Sequence, residues 1–109
     1  MPDFDVLLLG MGPEGHIASL FPGMPALDAA GSVVAIEDSP KPPPTRVSLT
    51  LAAIRTAGEV WVVAAGAAKA EAAAAARAPG TLPEMVPAAG ARGRDATVFW
   101  LDRAAAGEL

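Results

Sequence analysis

The sequence has no cysteine, no tyrosine and a single histidine. Without cysteine there is no disulfide and no thiolate metal site. Basic residues are scarce as well. Eight Lys and Arg stand against twelve Asp and Glu, giving a formal charge of −4, and this excludes the clustered basic footprint that nucleic-acid binding needs. Long hydrophobic runs are missing too, since the longest apolar stretch, Val60 to Ala68, falls far short of the ~20 residues of a membrane span. Residues Met1 to Asp5 carry no basic segment followed by an apolar core and a small-residue cleavage site. These absences predict a cytoplasmic chain whose partners include neither nucleic acid nor membrane.

What remains is apolar. Hydrophobic residues make up 52% and charged residues 18% of 109 residues, with a mean hydropathy of +0.38. Such a chain folds, and its length allows at most one domain or part of one. It is also greasier than a free-standing domain of this size requires, so some apolar surface is expected to meet a partner or a further segment.

Apolar runs alternate with helical and turn-forming stretches, which predicts an α/β fold with a parallel sheet. Strands are expected at Phe4–Leu9, Ser32–Glu37, Val47–Leu49, Val60–Ala65 and Thr97–Leu101. The first reads as a buried central strand, because its apolar residues run on without alternation. Ile17–Phe21 can form one helical turn before Pro22, Gly23 and Pro25 stop it. Thr50 caps a helix through Thr56 that Gly58 ends, and Gly66 opens an alanine-rich helix over 67–77. Four prolines among residues 39–45 make that segment an extended loop, residues 82–91 are irregular, and Asp102 caps a terminal turn.

Gly10-Met11-Gly12-Pro13-Glu14-Gly15 matches a dinucleotide-binding fingerprint, and Glu37 sits where a ribose-binding acid belongs. The match fails on mechanism. The fingerprint needs a full helix after the third glycine to meet a pyrophosphate, and the prolines leave room for one turn. His16 follows that glycine directly. A lone histidine is ordinarily structural or solvated, but glycines let backbone approach a ligand, and Glu14 can hold one ring nitrogen so that the other serves as a base. Arg46 begins a strand after the proline loop, Lys69 lies in the first helical turn after Gly66, and Lys41 stands between prolines. A lysine at a helix N-terminus opposes the dipole unless an anion sits nearby, so Gly66 with Lys69 forms a candidate phosphate seat. Surface solubility is the alternative for each cation, and Arg55, Arg77, Arg92, Arg94 and Arg103 read as surface or structural charges.

Leu-Gly-Met-Gly-Pro-Glu-Gly-His-Ile-Ala-Ser-Leu-Phe-Pro (9–22) resembles the signature of the 6-phosphogluconolactonases, and Ser-Pro-Lys-Pro-Pro-Pro-Thr-Arg-Val-Ser-Leu-Thr (39–50) resembles their second motif. Ala-Gly-Ala-Ala-Lys-Ala (65–70) and Phe-Trp-Leu-Asp-Arg-Ala-Ala (99–105) are similar to later segments of the family, in the same order. The resemblance implies the Rossmann-like parallel-sheet fold of the phosphosugar isomerase and lactonase group. It implies hydrolysis of 6-phospho-D-glucono-1,5-lactone in the oxidative pentose phosphate pathway, without cofactor or metal. His16 then activates water or helps protonate the ring oxygen. Glu14 stands where the family usually has aspartate, and Arg46 and Lys69, with Lys41, Gly12 and Gly15, bind the phosphosugar. Glucosamine-6-phosphate deaminases share the glycine–histidine core but carry Asn-Glu-Pro after it. Ser19-Leu20-Phe21-Pro22 stands there in this chain and brings no carboxylate.

The resemblance covers only the carboxyl-terminal half of family members. The expectation is therefore that residues 1–109 are the carboxyl-terminal part of a single lactonase domain truncated at its amino terminus, completed by a missing segment or by self-association. An inactive interaction module is the other reading.

Overall fold

The structure, a computed structural model, describes all residues from Met1 to Leu109. β1 (Val6–Gly10), β4 (Glu59–Ala64) and β5 (Ala96–Leu101) form a parallel sheet in the order β1-β4-β5. Leu8 lies opposite Trp61, which lies opposite Val98. β2 (Val33–Ile36) and β3 (Arg46–Leu49) form a separate antiparallel pair, with Val33 opposite Leu49. The helices are α1 (Leu51–Ile54) and α2 (Ala70–Arg77), and 3-10 turns occupy Pro25–Asp28, Ala67–Lys69 and Pro87–Gly90. No helix is long and apolar enough to cross a membrane.

The core forms on one face of the parallel sheet. Leu9, Val60, Val62 and Ala64 point into it and meet Leu51, Ile54, Ile17, Leu20 and the alanines of α2. Ala72, Ala73 and Ala76 are buried; methyl-sized side chains let α2 lie close to the strands while keeping high helix propensity. Thr50 caps α1 as its position predicts. Its Oγ1 accepts from the Ala53 N–H at 3.0 Å and donates to the Gly31 carbonyl at 2.6 Å, tying the helix start to the strand pair.

The opposite face of the parallel sheet is open and apolar. Leu8 is 60% exposed, Trp100 52% and Val63 46%, and Trp61 packs against Trp100 with ring centroids 5.4 Å apart. This corrects the expectation of a buried central strand at the start of the chain. β1 is an edge strand whose Leu7 and Leu9 face the core while Val6 and Leu8 face outward. Its unbroken apolar run reflects the chemistry of a two-faced parallel strand, of which this chain covers one face.

Two further expectations change. The strands at 33–36 and 46–49 do not join the parallel sheet, because the loop between them is shorter than the dozen or so residues a parallel crossover needs. The Ser39 N–H donates to the Pro44 carbonyl at 2.9 Å and folds the loop back on itself, so the pairing is antiparallel. Residues Ile17–Phe21 make no helical turn. They form a tight turn closed by an isolated bridge between Ile17 and Leu20. Ser48 Oγ takes the Ser19 N–H, and Ala18 adopts a left-handed backbone with φ 48°. Burying Ile17, Leu20 and Phe21 together requires this reversal, since each is at most 2% exposed.

Candidate active site

The carboxyl end of β1 runs into the glycine loop, at the edge of the sheet where open α/β folds place their ligand sites. The loop closes on itself. Gly12 donates its N–H to the His16 carbonyl at 2.9 Å, and Gly15 donates to the Gly12 carbonyl at 2.9 Å. Both glycines are required by sterics. Gly15 has φ +88°, and a Cβ there would lie 2.5 Å from Cγ1 of Val86. A Cβ on Gly12 would occupy the space of His16 Nδ1 and Glu14 Oε1, so the bare backbone is the floor on which these two side chains rest.

His16 is held on several sides. Its Nδ1–H donates to Glu14 Oε1, a carboxylate being able only to accept. Its ring stacks on Phe21 at 4.3 Å between centroids and 26° between planes, and Phe21 is 2% exposed. Nε2 has no protein partner, and His16 lines a cleft of about 470 Å³ formed with Gly10 to Pro13, Ala18, Lys41 and Lys69. With the proton fixed on Nδ1, the Nε2 lone pair is available to a ligand or water in that cleft.

The charge around the pair is built to keep Glu14 ionised. Partial burial pushes its carboxyl up, but the hydrogen bond and charge of His16, followed by those of Lys41, outweigh this and hold it below its ordinary value of 4.5. The Lys41 ammonium lies 3.3 Å from the second carboxylate oxygen. A depressed carboxylate contributes stability above its unfolded value and loses it as pH falls through the folded one. The carboxylate's contribution to the Glu14–His16 contact is therefore present at neutral pH and is lost as pH falls through a value below 4.5.

The cations expected at a phosphate divide into two groups. Lys41 and Lys69 both line the cleft, and Lys69 Nζ donates to the Met11 carbonyl inside the glycine loop. Arg46 stands outside that lining. Its guanidinium donates to the carbonyls of Pro43 at 3.0 Å, Lys41 at 3.0 Å and Pro42 at 2.9 Å. Its Nη1 reaches Ser19 Oγ at 3.4 Å. Arg46 thus clasps the proline loop and sets where Lys41 stands. The seat expected at Gly66 is not assembled either. The Gly66 N–H donates to both carboxylate oxygens of Asp102, at 3.1 and 3.2 Å. The Ala105 and Gly66 N–H groups hold Asp102 below its ordinary 3.8, and an anion at Gly66 would meet this negative charge. Arg55, Arg92 and Arg94 donate to backbone carbonyls, as structural charges do.

Sequence reasoning missed Phe21 and Ser48. Phe21 carries the signal of an ordinary core residue, and Ser48 lies inside a strand; only the fold brings them beside residues 16 and 19.

A parallel α/β sheet thus carries an imidazole–carboxylate pair and two ammonium groups around one cleft at its carboxyl edge, groups whose chemistry suits proton transfer beside an anion. The chain belongs to the family described as glucosamine-6-phosphate isomerases/6-phosphogluconolactonase, whose model matches residues 1–100. It is 59% identical over 109 residues to a 6-phosphogluconolactonase of Mycobacterium tuberculosis, covering 99% of this chain and 44% of that one. It is 54% identical to the 6-phosphogluconolactonase of Streptomyces coelicolor, covering 100% of this chain and 42% of the relative. Among solved structures, the 6-phosphogluconolactonase of Trypanosoma brucei superposes with a TM-score of 0.78 at 35% identity, covering 100% of this chain and 43% of that one. A monomeric glucosamine-6-phosphate deaminase superposes with a TM-score of 0.72 at 25% identity, covering 96% and 48%. The chain thus spans less than half the length of the relatives it matches.

Proposed function

We propose that residues 1–109 are the carboxyl-terminal half of a 6-phosphogluconolactonase domain and supply the base for hydrolysis of 6-phospho-D-glucono-1,5-lactone to 6-phosphogluconate. The observation that carries this reading is the hydrogen bond from His16 Nδ1 to Glu14, which leaves Nε2 free in a cleft shared with Lys41 and Lys69. A water held by Nε2 loses a proton to it as its oxygen attacks the lactone carbonyl carbon. The tetrahedral intermediate collapses with cleavage of the bond to the ring oxygen, and the imidazolium returns the proton to that oxygen. The products are a carboxylic acid and a hydroxyl, so one water is consumed and no electrons change hands. Glu14 keeps the ring in one tautomer and supports the imidazolium. A lactone is an activated ester, and a positioned base worth ~10²–10⁴-fold is sufficient chemistry for it.

The phosphate is assigned to the Lys69 ammonium, which would leave the Met11 carbonyl to meet it, with Lys41 beside it and Gly12 and Gly15 allowing close approach. Arg46 contributes through Nη1, or by fixing the proline loop. The deaminase reading is weaker, because Ser19 to Pro22 offers no carboxylate for ring chemistry.

The open sheet face with Leu8, Trp61, Val63 and Trp100 supports a second element of the reading. A parallel strand buries both faces, and the relatives possess more than as much chain again. We assign that face to the amino-terminal half of the domain, whether joined in one polypeptide or supplied separately. A non-catalytic association module remains the competing account for the isolated chain.

The test is a lactonase assay on the 109-residue chain, alone and with the amino-terminal half of a similar lactonase. One charge-assisted bond to phosphate is worth ~1.5–3 kcal/mol, so Lys69→Ala should raise KM for the phosphorylated lactone about ten- to a hundred-fold and change kcat less. Arg46→Ala should raise KM more modestly. An unchanged KM in both variants would remove them from the phosphate site.

A further inference from the structure

We infer that Phe21 is a positioning residue for His16: its buried ring is the wall that keeps the imidazole turned toward Glu14 and Nε2 turned into the cleft. The inference rests on reading His16 as the base, but the geometry it uses is independent of catalysis. The Glu14 contact alone fixes one atom of the imidazole, and a single hydrogen bond lets a ring pivot about it. Gly12 bounds the ring from below but offers only backbone. The remaining constraint is the stack on Phe21, near-parallel at 26° and 4.3 Å.

Phe21 is itself buried, at 2% exposure next to Leu20 at 0%. The turn that presents it is pinned by Ser48 at the Ser19 N–H and by Arg46 at the Ser19 hydroxyl. The Arg46 guanidinium also lies 5.7 Å from the Phe21 ring centroid, a cation–π distance. Arg46 thus reaches both the wall behind the imidazole and, through the Lys41 carbonyl, the loop that carries Lys41. A histidine stacked on a phenylalanine and bonded through Nδ1 has one orientation and one neutral tautomer, which is the preorganisation a base needs. Loss of the wall should free the side-chain torsions of His16, so that the Glu14 bond is made only part of the time.

The chain has one histidine, so imidazole NMR signals report this site without ambiguity. In the 109-residue chain, the Cδ2 and Cε1 protons should be displaced upfield by the Phe21 ring current relative to the unfolded chain. The nitrogen shifts of the neutral form should be those of the Nδ1–H tautomer. In Phe21→Leu the upfield displacement should vanish, and the nitrogen shifts should move toward the average of both tautomers. In any assembly that turns over, kcat should fall about ten-fold or more with KM nearly unchanged. Unfolded-like imidazole proton shifts in the folded parent, isolated or bound to the amino-terminal half, would overturn the inference. So would a folded Phe21→Leu variant that keeps the Nδ1–H pattern. Should that variant not fold, the parent's Phe21–His16 Overhauser contacts decide the matter, their presence supporting the wall and their absence overturning it. Failure of the base reading looks different: His16→Ala would keep its turnover while the ring-current shift and tautomer of the parent stood.

Discussion

Replacing His16 with alanine is expected to lower kcat for 6-phosphogluconolactone by about 10²–10⁴-fold, with KM nearly unchanged. The size follows from the role. General-base catalysis by one positioned group contributes that much, and His16 is the one imidazole this chain supplies. Constancy of KM follows from location, because the phosphate is assigned to the ammonium groups and not to the imidazole. Steady-state kinetics in the assembly that gives turnover check both numbers. Glu14→Gln should fall between parent and His16→Ala, since an amide can still accept from Nδ1 but does not support the imidazolium electrostatically. Near-normal turnover in His16→Ala would end the base assignment.

Gly12→Ala should be almost as damaging to turnover while sparing the fold. The added Cβ would occupy the space of His16 Nδ1 and Cε1 and of Glu14 Oε1, so the pair must swing away. A displacement of about 1 Å at a reacting group costs on the order of 10²-fold. Glu14 is exposed and His16 borders an open cleft, so the pair can swing into it and give up the Phe21 stack while the core stays in place, and the thermal midpoint should shift little. Gly93 gives the opposite pattern. A Cβ there would stand 2.8 Å from the Gly58 carbonyl and from the Val60 N–H nitrogen, which are backbone atoms of the central strand region. Gly93→Ala should therefore lower the midpoint sharply. Thermal melts beside kinetics separate the two cases, and a Gly12→Ala variant that melts early would show the loop to be a structural staple instead.

Where the residues speak locally, the fold is legible in the sequence. The Thr50 cap, the Gly66 turn, β4 and β5 lie within a residue or two of their expected positions, because caps, glycines and β-branched runs act through neighbours in the chain. Sheet membership is not local. Nothing in Ser32–Glu37 or Val47–Leu49 distinguishes a parallel strand from an antiparallel one; the length of the proline loop between them does. The edge position of β1 was hidden for a related reason, since an apolar run states that both faces suit burial and not that both are buried.

The site divides in the same way. Gly12, Glu14, Gly15 and His16 lie in one short turn, and their mutual contacts follow from spacing. Lys41 and Lys69 come to the same cleft only through tertiary structure. Gly66 with Lys69 has the local marks of an anion seat, and the Asp102 carboxylate that takes the Gly66 N–H lies far along the chain. Phe21 was invisible as a site residue because stacking on an imidazole leaves no trace in composition or periodicity.

The most direct test of the central claim is the rate of 6-phospho-D-glucono-1,5-lactone hydrolysis above its spontaneous background. It is measured for the chain bound to the amino-terminal half of a similar lactonase and for each piece alone. Hydrolysis by the complex is expected, abolished to near background by His16→Ala, with little or none by the isolated chain. A complex that forms but hydrolyses nothing, or a 109-residue monomer that is fully active by itself, would contradict the central claim.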